Sequence, residues 1–190
     1  MPLELKIDWG TGPGSPQELR LLSKAALSKN LLGHHYFWDG TRFLLDATNL
    51  KTARPQADRL VSAWCCFTTA LRYPERPSSC AYMVSETARS LRSEMDRWLI
   101  ELDEPREAQL AKAPTRKRTH EISQKAVADI EAFRDVFDLT KRTDFENLDT
   151  TVFAEDWCTP AIERRLDHWR EQLAFIEMKL TEDSDNQTPI

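Results

Sequence analysis

The chain has 190 residues, of which 41% are apolar and 30% are charged. This length fits one domain with a substantial core, and six Trp and eight Phe exclude a disordered chain. The net charge of −5 argues against a protein that binds nucleic acid over its whole surface, because such proteins are usually basic. No apolar run reaches the roughly 18 residues of a membrane span, and the N-terminus lacks the apolar core of a signal peptide.

The first 50 residues predict a small β/α element. Residues 3–9 alternate apolar and charged side chains, which is the period of a strand. A helix follows, because Ser15 is a good N-cap, Pro16 suits the first helical position and Glu18 completes a capping box. Gly33 is its predicted end.

A β-hairpin is predicted next, over residues 35–45. Asp39 and Gly40 separate two β-rich segments, and Asp-Gly favours the positive φ angles of a two-residue hairpin turn. Because a lone hairpin is marginally stable in water, we expect the N-terminal strand to join it in a small sheet.

From residue 51 onward the apolar spacing is helical. Residues 55–73 form the most apolar segment and predict a central, buried helix. Two further helices each carry an apolar seam spaced 4-3-4-3-4, the first over about residues 80–103 and the second after the cap Thr159. The first seam consists of Val84, Ala88, Leu91, Met95, Trp98 and Leu102. The second consists of Ile162, Leu166, Trp169, Leu173, Ile176 and Leu180.

These elements predict a mainly α fold, an antiparallel bundle of four to five helices with a small N-terminal β element made of a strand and a β-hairpin. A further helix is expected over residues 119–137, and residues 139–158 look irregular. The predicted organisation is a β/α element at 1–50 packed on a helical bundle at 51–180, followed by a flexible acidic tail at 181–190.

Short motifs that could bind ligands are incomplete. The glycine-rich residues 10–14 precede a helix, yet Pro13 and Pro16 remove backbone donors and no P-loop lysine follows, so we interpret them as a turn. His34 and His35 are adjacent, and adjacent residues of a strand point to opposite faces. We therefore predict no metal site and no cofactor.

The four cysteines predict free thiols in a reducing, cytoplasmic setting. Cys65, Cys66, Cys80 and Cys158 include no C-x-x-C pair. Cys158 lies just before a predicted helix N-terminus, which lowers a thiol pKa, and so is the best candidate nucleophile. The sequence shows no base for it, so we name no catalytic residue and favour a non-enzyme.

Two surface features remain as candidate sites. A basic cluster lies at a loop between helices and is a candidate set of phosphate contacts, a site for an acidic protein, or simply solvated. Its members are Lys112, Arg116, Lys117, Arg118 and Lys125. The last helix carries a second apolar strip off its seam, formed by Ala174, Phe175 and Met178, which predicts a protein interface or packing within the chain.

The preferred hypothesis is a non-catalytic helical protein–protein interaction subunit of a larger assembly, with a protein partner or self-association and no membrane contact. One alternative is a subunit that contacts nucleic acid through the basic loop 112–125. Another is a small enzyme whose site is assembled from scattered residues, because a missing motif is weak evidence against catalysis.

Overall fold

The computed structural model describes residues 14–113, 115–143, 145 and 159–185, which form six α-helices and two 3-10 turns. In chain order the helices are α1 (Pro16–Ser28), α2 (Leu32–Asn49), α3 (Ala53–Ala70), α4 (Cys80–Leu110), α5 (Arg116–Arg134) and α6 (Thr159–Asp185). The 3-10 turns, Asp135–Phe137 and Leu139–Lys141, follow α5. The mainly α prediction is confirmed, and no strand occurs in the described ranges.

The predicted β-hairpin is wrong, because α2 runs through both of its proposed strands and through the Asp39-Gly40 turn. The buried residues of α2 recur every three or four positions, which is a helical face and not a strand alternation. They are Gly33, Phe37, Gly40, Thr41, Leu44 and Ala47. The strand predicted over residues 3–9 lies outside the described residues, and the described part of the chain contains no β element.

Gly40 lies inside α2 at a point where α3 approaches closely, and a larger side chain would not fit there. A Cβ at Gly40 would lie 2.8 Å from Cε1 of Phe67 and 3.0 Å from Cβ of Cys66. The missing side chain therefore makes room for a buried aromatic ring of α3. The glycine serves packing between helices, whereas the sequence pattern suggested a turn.

Helix α1 begins as predicted and ends earlier than predicted. Ser15 Oγ accepts from Glu18 N at 3.2 Å, and the Glu18 carboxylate accepts from Ser15 N at 3.1 Å, which completes the capping box. The helix ends at Ser28, and Asn30 two residues beyond it has a φ of 57°, with Asn30 N bonded to Leu27 O and Leu31 N bonded to Ala26 O. This is a Schellman motif with asparagine in place of the expected glycine.

The core is centred on α3, which is buried along most of its length. Helices α2 and α4 and the first 3-10 turn pack against it, and α5 and α6 extend the bundle from α4. Cross-helix contacts show that α3, α4, α5 and α6 alternate in direction. Ala53 N bonds to Glu101 and Cys80 Sγ to Phe67 O across α3 and α4. The pairs Arg106–Asp129 and Trp98–Phe133 show the same for α4 and α5, and the pairs His120–Glu177 and Arg134–Glu163 show it for α5 and α6.

Both apolar seams face inward. In α4 the buried seam residues are Leu91, Met95 and Trp98, and in α6 they are Ile162, Leu166, Trp169 and Ile176. Helix α4 continues through Pro105 to Leu110, beyond its predicted end near residue 103. Helix α6 includes residues 181–185 of the predicted tail, and residues 186–190 lie outside the described part.

A buried carboxylate joins α4 to α6. Trp169 Nε1 donates to Asp103 Oδ1 at 2.9 Å, and Arg165 Nε lies 2.6 Å from Asp103 Oδ2. Burial raises the pKa of Asp103, while the Trp169 hydrogen bond and the Arg165 charge oppose that rise. Asp103 therefore contributes less stability as pH rises from 3.8, the ordinary value, through its higher folded pKa.

Replacing Gly40 by Ala should destabilise the fold. Alanine favours helices over glycine by about 1 kcal/mol, but the new Cβ would overlap the Phe67 ring, and overpacking of this kind costs about 1–3 kcal/mol. We expect a lower free energy of unfolding in urea. Gly14→Ala is the control, because no atom lies within 4 Å of its Cβ position, and it should change stability by less than about 0.5 kcal/mol. Equal free energies of unfolding for the two variants would contradict the close approach of Phe67 to Gly40.

Candidate functional site

The outer face of α6 carries the most exposed large apolar side chains of that helix. Phe175 is 59% exposed and Met178 is 48% exposed, and Ala174 beside them is also exposed. Each residue advances the helix by about 100°, so Phe175 and Met178 lie on the side away from the seam that contains Trp169 and Ile176. The predicted second strip is therefore exposed to solvent in the described part of the chain.

Carboxylates flank this apolar pair along the helix. Glu171, Phe175, Met178 and Glu182 are spaced 4-3-4, so they form one stripe with a carboxylate at each end. Lys179 Nζ lies 2.8 Å from Glu182 Oε2 and 5.8 Å from the centroid of the Phe175 ring. We refer to these four stripe residues as the α6 outer stripe.

The structure places the basic cluster around the start of α5, and all five of its members are exposed. Thr115 caps the helix by accepting from Arg118 N at 3.2 Å. Arg116, Lys117 and Arg118 therefore occupy the first turn, where the helix dipole disfavours positive charge. An anion at this end would relieve that repulsion.

The cluster does not converge on one point. Lys112 and Arg118 line a shallow depression of about 300 Å³ between α4 and α5. Arg118 also pairs with Glu121 at 2.8 Å, which neutralises part of its charge. Lys125 lies two turns along the face that Arg118 occupies, and Arg116 lies on a different face of the helix. Only Lys112 and Arg118 are shown to share a site.

His35 is part of the packing between α1 and α2. The ring nitrogen Nδ1 of His35 lies 2.8 Å from Ser23 Oγ, and its Nε2 lies 3.8 Å from Asp39. No group of three or more metal-ligating side chains occurs among the residues that the structure describes. Cys158 and all but the last residue of the glycine-rich segment 10–14 lie outside those residues.

The other three thiols are buried and free. Burial raises the pKa of Cys65 to about 12, and desolvation likewise raises the pKa of Cys66. Burial raises the pKa of Cys80 to about 11, and its Sγ donates to Phe67 O. At neutral pH these groups are protonated and inert, because the thiolate is the reactive form.

A further site, which sequence reasoning missed, is a cleft of about 770 Å³ beside the first half of α3. Its walls come from α2, α3, the end of α5, the first 3-10 turn, residues 141–143 and residue 145. Four of its lining side chains are cationic and two are anionic: Arg54, Arg59, Lys141 and Arg142, with Asp58 and Asp135. We call it the arginine cleft.

Comparison with known proteins adds no assignment. No family model, no curated protein and no solved structure matches this chain. No helix in the described part of the chain is both long and apolar enough to cross a membrane. The features of the described chain that bear on function are therefore the α6 outer stripe, the basic cluster and the arginine cleft.

Thiol labelling should separate Cys158 from the three buried cysteines. We expect the native Cys158→Ser variant to show no fast reaction with a disulfide reagent at pH 8, because its described thiols are buried and their pKa values are raised. Three thiols should react once denaturant is added. Fast labelling of the wild type alone would assign a reactive thiol to Cys158, whereas fast labelling of native Cys158→Ser would contradict the burial.

Proposed function

We propose that this protein is a non-catalytic helical subunit that binds another protein, or a second copy of itself, through the α6 outer stripe. The observation that carries this proposal is the exposure of Phe175 and Met178 on the face of α6 opposite its core seam. Leaving two large apolar side chains in water forgoes burial worth about 1.5–3 kcal/mol each, which an interface would recover.

The chemistry of the stripe indicates the kind of surface that would bind it. Phe175 and Met178 require an apolar pocket or the apolar face of another helix. Glu171 and Glu182 flank them, so a partner with Lys or Arg at the edges of its pocket would be complementary. Met side chains adapt to irregular pockets, which suits a contact of this kind.

The stripe is the size of a hot spot and smaller than a whole interface. A standard interface buries about 800 Å² on each partner, which two side chains cannot supply. A few central residues nevertheless carry most of the binding energy in measured interfaces. We therefore expect Phe175 and Met178 to dominate the affinity while neighbouring polar residues exclude water. We also propose a cytoplasmic location, because three buried free thiols suit a reducing compartment.

The double variant Phe175→Ser/Met178→Ser tests the proposal. Both side chains are exposed, so the helix content and unfolding midpoint should be unchanged, while self-association or partner binding should weaken at least about tenfold. Light scattering after size-exclusion chromatography measures self-association, and affinity capture from the native host measures partner binding.

Tyr82→Ser is the matched control, because Tyr82 is an equally exposed large side chain, 54% accessible, on α4. It should leave association intact. The proposal fails if the wild type is monomeric at its solubility limit and captures no protein. It also fails if the Tyr82 variant loses the same partner as the double variant.

A second candidate function is contact with nucleic acid through the basic cluster. The observation in its favour is the position of Arg116, Lys117 and Arg118 in the first turn of α5, where the positive end of the helix dipole and three cations attract phosphate. The neutralisation of Arg118 by Glu121 and the lack of interleaved aromatic residues weigh against it.

The triple variant Arg116→Ala/Lys117→Ala/Arg118→Ala tests this function. If the cluster binds phosphates, affinity for a labelled oligonucleotide should fall in the variant, and the slope of log K against log salt should shrink by about 1 for each lost contact. Arg20→Ala/Lys24→Ala on α1 is the control, because both side chains are exposed and far along the chain from the cluster. Equal binding by the triple variant and the wild type would exclude this role.

A further inference from the structure

The arginine cleft combines excess positive charge with apolar walls. Each of its two carboxylates is already neutralised: Asp58 by Arg142 at 2.8 Å and Asp135 by Lys141 at 2.8 Å. The Lys141 hydrogen bond lowers the pKa of Asp135, so this carboxylate stays ionised and paired. Arg54 and Arg59 supply the remaining charge, and both line the cleft.

Arg142 forms the rigid part of the cleft. Its guanidinium donates to Ser62 Oγ at 2.8 Å, to Asp58 Oδ1 at 2.8 Å and to Val136 O at 3.0 Å, and its side chain is only 15% exposed. It therefore fixes the 3-10 region against α3. A guanidinium held in this way keeps a fixed charge at the cleft without having to be ordered when a ligand arrives.

Arg59 and Arg54 are the side chains available to a ligand. Arg59 lies over the Phe43 ring, with its Cζ 5.4 Å from the ring centroid. Its ion pair with Asp58 is loose, because Arg59 Nη1 comes no closer than 3.9 Å to Asp58 Oδ2. The ring attracts the guanidinium through its π-face, and the Arg59 side chain remains 42% exposed. Arg54 is exposed and pairs with no carboxylate in the described ranges. Two guanidinium groups of this kind suit an oxyanion, because each can donate two parallel N–H hydrogen bonds to it.

The apolar part of the wall favours an anion that also carries an apolar group. Phe43, Pro55, Ala132, Val136 and Phe145 also line the cleft. Its volume of about 770 Å³ lies within the range typical of small-molecule sites, about 300–1,000 Å³. We propose that the arginine cleft binds a small organic anion, in which an aromatic or other apolar group carries a phosphate or carboxylate. This inference is independent of the α6 outer stripe.

Calorimetric titration of the full chain with four probes tests the proposal. Phenyl phosphate and benzoate carry both features, inorganic phosphate carries only the charge, and benzyl alcohol carries only the ring. We expect the first two to bind and the last two to bind at least about tenfold more weakly. Comparing phenyl phosphate with benzoate identifies which oxyanion the cleft prefers.

The variant Arg54→Ala/Arg59→Ala should weaken binding of the better probe about tenfold or more without changing the helix content. Arg89→Ala/Arg20→Ala removes the same charge from exposed positions on α4 and α1 and should bind like the wild type. The proposal is overturned if neither phenyl phosphate nor benzoate binds at millimolar concentration. It is equally overturned if both double variants lose affinity alike, because the effect would then be one of net charge.

Discussion

The fold depends on how a polar residue is satisfied inside its most buried helix. Gln56 in α3 is only 2% exposed, and all the hydrogen-bonding capacity of its amide is used. Its nitrogen donates to Ala47 O and Leu50 O at the end of α2, while its oxygen accepts from Trp98 Nε1 and from Arg97 on α4. One side chain thus sets the position of α2 and α4 relative to α3, because any sliding would leave buried polar groups unpaired.

Local capping and helical periodicity were readable from the sequence, whereas contacts between helices were not. The cap of α1 and the two seams depend on residues within a few positions of each other, so Ser15, Glu18 and Trp98 could be placed correctly. Gly33 and Gly40 misled the prediction because glycine allows both turns and close packing. A Cβ at either would come within about 3.0 Å of a neighbouring segment, around Tyr73 in one case and at Phe67 in the other. Nothing local to residues 33–40 encodes those neighbours.

The candidate sites divide in the same way. The exposed pair Phe175 and Met178 could be found from the sequence, because a helix of known seam has a known outer face. The arginine cleft could not, since its wall joins α2, α3, the end of α5 and the segment that contains Lys141 and Arg142, which are distant along the chain. No spacing rule links Arg59 to Phe43 or Arg142 to Asp58; only the packing of α2 and the 3-10 region on α3 brings them together. The role of each surface stays a proposal.

The arginines of this acidic protein differ in what their charge does. Arg142, Arg106 and Arg165 each meet a carboxylate of another segment, namely Asp58, Asp129 and Asp103, so removing one would leave a carboxylate without its partner. Removing such an arginine would destabilise the fold, so a loss of binding in that variant would not show that the arginine contacts a ligand. Arg54 and Arg59 differ because the cleft carboxylates are already neutralised by Arg142 and Lys141. The charges of Arg54 and Arg59 are therefore not required to neutralise the cleft carboxylates, and they are available to a ligand.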